Sequence, residues 1–230
     1  MDTKRVLELK DKVRESYRLS AKHFTATRKK GLADDFLWAA GQIGENDRIL
    51  DAGCGSGRLL EAVEIGPERY VGIDGSELLL GYAREIYPGY RFEQGELEDL
   101  EIKDEFDCIF CSAVISHIPG RENRTLVLKA FLNAAKDGGK LVISVWKFRG
   151  KYRRLLHLAR IKSLLGLNPY GWNEIVFDWK SDDGRPLAKR YYHYFSKRAF
   201  LREIAASGWL VKELHDSAYN YWAVAEKKES

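Results

Sequence analysis

A carboxylate followed by three closely spaced glycines is the strongest chemical signal in this 230-residue sequence. Asp51 comes two residues before Gly53, and Gly55 and Gly57 follow at alternate positions. Glycine permits a sharp backbone turn and lets a ligand approach where a Cβ would block it. A carboxylate beside such a turn repels a pyrophosphate but suits a ligand with a cationic amino-acid end. The spacing therefore predicts a site for a small molecule of that kind.

A dinucleotide site is the alternative interpretation of a glycine-rich turn, and the spacing argues against it. The dinucleotide fingerprint is G-x-G-x-x-G, with a pyrophosphate at the start of the helix. Counted from Gly53, the third glycine should be at position 58, which is Arg58. Counted from Gly55, it should be at position 60, which is Leu60. The turn follows G-x-G-x-G instead.

The segments around this motif alternate between strand and helix patterns. Strands are predicted at residues 48–51, 70–74, 90–93, 106–112, 140–146, 209–214 and 220–225, and helices at 3–18, 32–43, 58–63, 78–86, 123–135, 152–165 and 197–206. Strands alternating with helices of this length are typical of a parallel α/β sheet. The short turn between the last two strands predicts a hairpin, hence one antiparallel strand. Open α/β sheets bind ligands at the carboxyl ends of their strands, where the glycine turn falls.

The net charge of +4 is unevenly distributed along the chain. Residues 1–31 contain 10 Lys and Arg against 4 Asp and Glu, and residues 147–190 contain 11 against 4. The rest of the chain is therefore acidic. Two basic segments beside an acidic body suggest a polyanionic partner such as RNA. Helices with Lys and Arg on their solvated faces explain the same pattern, and charge alone does not choose between the two.

Cys54, Cys108 and Cys111 are the three cysteines of the chain. Cys108 and Cys111 form a C-x-x-C pattern, which invites a zinc or redox interpretation. They fall within a predicted strand, where residues three apart point to opposite faces of the sheet. We therefore expect buried, apolar cysteines and no bound metal.

The glycine motif resembles the first motif of the class I S-adenosylmethionine-dependent methyltransferases, which has the form D-x-G-x-G-x-G. The resemblance implies a Rossmann-like α/β fold with a seven-stranded, mostly parallel sheet that has one antiparallel strand, and S-adenosylmethionine as the methyl donor. It also implies that Asp74 binds the ribose hydroxyls and that Glu96 lies near the adenine amino group. By this resemblance the donor site comprises Asp51, Gly53, Cys54, Gly55, Gly57, Asp74, Gly75, Glu96, Leu97, Ser112 and Ala113.

Segments outside the motif resemble the tRNA wobble-uridine carboxymethyl methyltransferases, which esterify 5-carboxymethyluridine in the anticodon. The similarity runs from about residue 22 to 228 and rests on residues 23–28, 112–117, 121–124, 175–179, 190–195 and 220–222. Two positions depart from the family pattern. Ser116 stands where the family commonly has the first of two adjacent histidines, and Tyr219 stands where it has Asp before Asn220.

A carboxylate acceptor needs alignment and water exclusion and no general base, because its pKa of about 4 leaves it ionised at neutral pH. Arg28 is the predicted clamp, since a guanidinium holds a carboxylate by two parallel hydrogen bonds. Tyr191, Tyr192 and His193 are predicted to position the uracil ring and nearby phosphate or ribose groups. His117 is predicted to hydrogen-bond the acceptor, or to act as a base if the nucleophile is a hydroxyl or nitrogen.

Two other functions stay open at this stage: methylation of a small acidic metabolite, and a non-catalytic donor-binding module of a larger complex. The wobble-uridine family implies tRNA as a partner and a small zinc-binding activator subunit. No stretch approaches the roughly 20 apolar residues that span a bilayer, so we expect a cytoplasmic protein without a membrane partner. Four parts are predicted: a basic N-terminal helix and arm (1–31), the donor-binding core (32–146), a basic aromatic insertion (147–190) and the end of the core sheet (191–230).

Overall fold

The computed structural model describes residues 3–26, 31–103, 105–180 and 184–229, and the side chains of these residues except 20–26. In this part of the chain, seven strands form one sheet in the order β3-β2-β1-β4-β5-β9-β8. These strands are β1 (Ile49–Ala52), β2 (Tyr70–Asp74), β3 (Arg91–Gln94), β4 (Phe106–Cys111), β5 (Ala135–Trp146), β8 (Leu210–Asp216) and β9 (Asn220–Glu226). Strand β9 runs antiparallel to both of its neighbours, β5 and β8. The predicted fold is confirmed.

Six helices connect and cover the strands of the described chain: α1 (Thr3–Ala26), α2 (Asp34–Ala40), α3 (Glu77–Ile86), α4 (Arg121–Ala134), α5 (Lys151–Leu164) and α6 (Lys197–Ala206). Ser76 and Ser196 begin α3 and α6, where each hydroxyl accepts a hydrogen bond from a backbone N–H three residues on. Helix α1 continues past its predicted end at residue 18. The helix predicted at 58–63 is wrong, because Arg58–Glu61 forms only a 3-10 turn. None of the described helices is both long and apolar enough to cross a membrane.

Apolar side chains are buried on both faces of the main sheet, as in a sheet covered by helices on each side. Ile109 and Cys111 of β4 belong to one buried cluster, whereas Cys108 and Phe110 belong to the other. This alternation confirms that Cys108 and Cys111 point to opposite faces. Both thiols are buried, and burial raises the pKa of each. They are packing residues of the core.

The segment after β5 contains α5 and a separate antiparallel hairpin of β6 (Glu174–Lys180) and β7 (Pro186–His193). The sequence predicted the helix but not the hairpin. Strand β7 packs against α1, so the hairpin is joined to the N-terminal helix as well as to the core. The predicted boundary at residue 190 falls inside β7, and the four-part division of the chain stays a prediction.

Candidate active site

A cavity of about 1030 Å³ lies at the carboxyl ends of β1 to β4 and is closed by α1, β6 and β7. Most of the predicted site residues line it: Asp51, Gly53, Cys54, Gly55, Asp74, Gly75, Glu96, Leu97, Ser112, Ala113, His117 and Tyr192. The structure thus brings the predicted donor residues together with two of the predicted catalytic residues. The volume is at the upper end of the range typical of small-molecule sites.

The backbone of the glycine turn has a left-handed conformation at Gly53 and Gly55, with φ of 78° and 55°. A Cβ on Gly53 would lie 2.3 Å from Cγ2 of Val114, so this glycine is required by close packing against the loop after β4. A Cβ on Gly55 would have only Leu79 Cδ1 within 4 Å, at 3.9 Å. The space beside Gly55 is therefore open, as a site for a ligand against the backbone requires.

Asp74 connects the ends of β1 and β2 through two backbone hydrogen bonds. Its Oδ2 accepts from the Gly55 N–H at 2.9 Å, and its Oδ1 accepts from the Ser76 N–H at 2.8 Å. Burial raises the pKa of Asp74, although these two bonds act to lower it. The carboxylate fixes the turn in place and also lines the cavity.

Asp51 is buried at the end of β1, and its Oδ2 accepts a hydrogen bond from the Tyr70 hydroxyl at 2.8 Å. Burial raises the pKa of Asp51 to about 7, although the Tyr70 bond acts to lower it. A raised carboxyl pKa means that the charged form lacks a full set of stabilising partners. A cationic ligand beside Asp51 would supply one.

The loop after β4 is held in a strained conformation by a serine that the sequence analysis missed. Ala113 has φ of 59°, which is rare for a residue with a side chain. Its N–H donates to the buried hydroxyl of Ser144 in β5 at 2.9 Å. In the sequence, the feature that could have identified Ser144 is its position as a polar residue among apolar residues of a predicted strand. Ser144 therefore positions the loop that faces the glycine turn.

The acidic turn after β3 pairs with basic residues of α1. Arg14 donates to Oε1 of Glu96 from Nε at 3.0 Å and from Nη2 at 2.8 Å, and Lys10 lies 3.0 Å from Glu98. Part of the basic N-terminal segment thus neutralises the acidic body. Glu96 lines the cavity with its carboxylate already engaged by Arg14, a partner that the sequence did not indicate.

Arg190 of β7 supplies a buried guanidinium to the cavity, and only 2% of the residue is exposed. Its Nε donates to the Ser16 hydroxyl at 3.1 Å, and its Cζ lies 3.7 Å from the Trp179 ring centroid and 5.2 Å from that of Tyr17. Stacking between aromatic rings is a favourable setting for a guanidinium. In the sequence, Arg190 is recognisable only as part of a motif, and its place in the cavity was not predicted.

His117 and Tyr192 lie next to Arg190, with their ring centroids 4.1 Å apart. Nδ1 of His117 is 3.1 Å from the Tyr191 carbonyl oxygen, which can only accept, so Nδ1 carries the proton. Burial, together with the Arg190 charge, lowers the pKa of His117 to about 3. The imidazole is therefore neutral at physiological pH.

Three predicted residues, Tyr191, His193 and Gly57, lie outside the residues that line the cavity. His193 is outside the cavity lining, and its Nδ1 is 2.9 Å from Oε1 of Glu174, which also accepts a hydrogen bond from the Tyr191 hydroxyl. Gly57 is also outside the lining, and a Cβ there would meet the rings of Tyr87 and Phe92. Arg28 lies outside the described residues. Their predicted roles stay predictions.

Asp35 is a further cavity residue that the sequence analysis missed. Its Oδ2 accepts hydrogen bonds from Ser217 at 2.6 Å, from Asn220 at 2.8 Å and from the Trp222 indole at 3.3 Å. Although burial acts to raise it, these bonds hold the pKa of Asp35 below its usual value. The signal was the Asn-x-Trp pattern at the start of β9. In the described part of the chain, no three His, Cys, Asp or Glu side chains are grouped so as to hold a metal ion.

The cavity fits a sulfonium donor that carries an amino-acid end and a nucleoside, because Asp51 and Asp74 offer carboxylates on either side of an open backbone at Gly55. Residues 50–143 match the family model described as a methyltransferase domain. The chain is an S-adenosylmethionine-dependent methyltransferase with the class I fold, and S-adenosylmethionine is its cofactor.

Relatives of this chain include enzymes with different acceptors. A tRNA (carboxymethyluridine(34)-5-O)-methyltransferase of Saccharomyces cerevisiae is 25% identical, with 94% of this chain and 95% of the relative covered. A candidate methyltransferase of Encephalitozoon cuniculi is 29% identical with the same coverage. Ubiquinone biosynthesis O-methyltransferases of several bacteria match between 42% and 61% of this chain.

Among solved structures, a chain in the complex between the Haloferax volcanii Trm112 methyltransferase activator and a candidate methyltransferase has the same fold. It has a TM-score of 0.63 and 15% identity, and the match covers 95% of this chain and 98% of that chain. At this identity the likeness concerns the fold alone.

Proposed function

We propose that this enzyme methylates the carboxylate of 5-carboxymethyluridine at the wobble position of tRNA. The observation that carries the proposal is Arg190, a buried guanidinium that lines the same cavity as the donor turn. A carboxylate that enters the cavity can accept two parallel hydrogen bonds from a guanidinium, and it carries the opposite charge.

In this proposal the donor lies along the glycine turn. When bound, S-adenosylmethionine supplies a methyl group on a positively charged sulfur. Asp51 stabilises its ammonium group, Asp74 accepts hydrogen bonds from the ribose hydroxyls, and Gly55 leaves room for the chain between them. Ser112 and Ala113, held by Ser144, close the site from β4.

The acceptor side needs no proton transfer, because the nucleophile is already ionised. Arg190 orients the carboxylate, and neutral His117 adds no charge that would compete for it. The rings of Tyr17, Trp179 and Tyr192 line the cavity beside Arg190 and help to exclude water from it. Arg28, the clamp predicted from the family resemblance, is a further ligand in the proposal.

The yeast relative supports the tRNA substrate, since its alignment spans nearly the whole of both chains. A small activator subunit, which the family resemblance implies, is part of the proposal as a partner, and the Haloferax neighbour of the same fold was solved with an activator. The basic segment 147–190 supports a polyanionic substrate over a small metabolite. A cytoplasmic location follows if tRNA is the substrate, and it belongs to the proposal.

The test is to incubate the protein with methyl-labelled S-adenosylmethionine and a tRNA bearing 5-carboxymethyluridine, with and without the candidate activator subunit. We expect label in 5-methoxycarbonylmethyluridine, identified by mass spectrometry and released as methanol by mild alkali, because a methyl ester hydrolyses whereas a methyl ether or amine does not. The matched control is the same tRNA with unmodified uridine, which lacks the carboxyl group. Alkali-stable label, or equal label in both tRNAs, would contradict the proposal.

A further inference from the structure

A second cavity, of about 530 Å³, lies between α5 and the loop that joins β8 to β9. Its basic lining residues are Lys147, Arg149, Arg153, His157 and Arg160. Arg153, His157 and Arg160 follow one another at helical spacing, so α5 presents them on one face. No Asp or Glu is among the described residues that line this cavity.

The positive charge of this cavity exceeds the negative charge beside it. Asp216 accepts from Lys147, but it is shared with Lys197 at 2.7 Å. Among the described residues, Arg149 donates only to the carbonyl of Ala218, at 2.9 Å, and Arg160 donates to the neutral amide of Asn173, at 2.8 Å. These bonds hold the guanidinium groups in place without neutralising them.

Two further observations indicate an anionic ligand. Nε of Arg160 is buried and has no hydrogen-bond partner among the residues that the structure describes. Within the same part of the chain, Arg153 and His157 make no side-chain hydrogen bond or ion pair, and Arg153 is exposed. A buried donor without an acceptor is costly unless a ligand supplies one.

One layer of aromatic rings separates this cavity from the active site. Phe148 and Tyr194 line the second cavity, whereas Tyr152 and Tyr192 line the first. The ring centroid of Phe148 lies 6.3 Å from that of Tyr152 and 6.1 Å from that of Tyr192. A ligand long enough to enter both cavities has to cross only this layer.

We propose that the second cavity binds a backbone phosphate of the RNA whose modified nucleotide enters the active site. A phosphate accepts the forked hydrogen bonds that Arg149, Arg153 and Arg160 can donate. Exposed rings beside the cavity suit RNA in particular, because aromatic rings can stack with unpaired bases. The Arg149 guanidinium lies 5.7 Å from the exposed Tyr219 ring, and that of Arg160 lies 5.8 Å from the exposed Trp172 ring. The choice of RNA rests on the proposed function, whereas the anion site does not depend on methyl transfer.

The test compares two neighbouring arginines of α5 by fluorescence anisotropy, using the full chain and a labelled anticodon stem-loop RNA without methyl donor. Arg153 lines the cavity and Arg154 does not, and both are exposed, so neither substitution disturbs the core. We expect Arg153→Gln to weaken binding about fivefold at 0.15 M salt and to reduce the slope of log affinity against log salt by about 0.7–0.9, as the loss of one phosphate contact requires. Arg154→Gln should leave both quantities unchanged.

Equal behaviour of the two variants would overturn the phosphate site, whether or not the RNA is methylated. RNA binding that depends on Arg153 in a protein that transfers no methyl group to tRNA would support the site and contradict the proposed function. RNA binding thus tests the phosphate site, and methyl transfer tests the proposed function, independently of each other.

Discussion

The active-site cavity has two halves that differ in charge and in origin. The donor half, formed by the ends of β1 to β4, presents the carboxylates of Asp51 and Asp74, whereas that of Glu96 is paired with Arg14 of α1. The acceptor half, formed by α1, β6, β7 and the segment around His117, presents the guanidinium of Arg190 among neutral rings. This arrangement is what a cationic donor and an anionic acceptor require, since each half has the charge opposite to its proposed ligand.

The two halves also differ in the kind of contact that forms them. The donor half depends on backbone geometry and on contacts between adjacent strands, such as the left-handed Gly53 and Gly55 and the N–H groups that Asp74 binds. The acceptor half depends on side chains that are far apart in sequence, as in the contact between Ser16 and Arg190. Substitutions in one half should therefore leave the ligand of the other half largely unaffected.

The largest effect is expected from Arg190→Gln. Loss of two charge-assisted hydrogen bonds to a buried carboxylate should lower kcat/KM for the acceptor on the order of 10²- to 10³-fold, with the donor Kd unchanged. Arg124→Gln is the matched control, because Arg124 is equally buried but pairs with Glu203 outside the cavity. It should lower the melting temperature and spare kcat/KM of the folded protein. A higher donor Kd in Arg190→Gln would contradict the claim that Arg190 contacts only the acceptor.

A pair of glycine substitutions should separate packing from ligand contact within the donor half. Gly53→Ala places a Cβ against Val114 at a left-handed position, so the free energy of unfolding should fall by about 2–4 kcal/mol. Gly55→Ala has the same backbone strain but open space, and should cost about 1–2 kcal/mol. Relative to its loss of stability, we expect Gly55→Ala to weaken donor binding more than Gly53→Ala does. Calorimetric titration measures the donor Kd, and denaturant unfolding measures the free energy of unfolding. A larger loss of unfolding free energy in Gly55→Ala than in Gly53→Ala would refute this account of the turn.

Asp51→Asn should remove a pH dependence of donor binding. Because burial raises the pKa of Asp51 to about 7, the free protein is protonated there below that pH, and the neutral form does not attract an ammonium group. The donor Kd of the wild type should therefore rise about tenfold for each pH unit below 7 and level off above it. The variant should bind more weakly at pH 8, with a Kd that is nearly constant from pH 5.5 to 8. A wild-type donor Kd that does not vary with pH over this range would contradict the role of Asp51 as the partner of the donor ammonium group.

The smallest effect is expected at His117. A general base contributes typically 10²- to 10⁴-fold, but an ionised carboxylate has no use for one. With its pKa lowered to about 3, His117 stays neutral from pH 6 to 8.5, so kcat at saturating donor and acceptor should be flat over this range. His117→Asn should lower kcat by less than about tenfold. If kcat of the wild type instead varied with pH and this variation were absent in His117→Asn, His117 would be transferring a proton. The acceptor would then not be a carboxylate.

Much of the fold could be predicted because its signals are local. Strand β2 and helix α6 have the predicted bounds, since buried β-branched runs and a serine N-cap mark their ends. The hairpin of β6 and β7 was missed because its pairing depends on contacts with α1 and α5, which no local pattern records.

The site shows the same contrast. The predicted donor residues come from a motif on adjacent strands, and most of them line the cavity. On the acceptor side, His193 was predicted as a site residue but lies against Glu174, whereas Arg190, three positions earlier, lines the cavity and was not predicted to do so. On a strand, the direction of a side chain depends on register, and register in the hairpin is set by tertiary packing.

The most direct test of the two-half cavity is a crystal structure of the protein with S-adenosylhomocysteine, the product that remains after methyl transfer. The account predicts the amino group beside Asp51, the ribose hydroxyls on Asp74, and the sulfur facing the side of the cavity that holds Arg190 and Tyr192. A sulfur that faces away from Arg190, or a ligand whose carboxylate occupies Arg190, would contradict it.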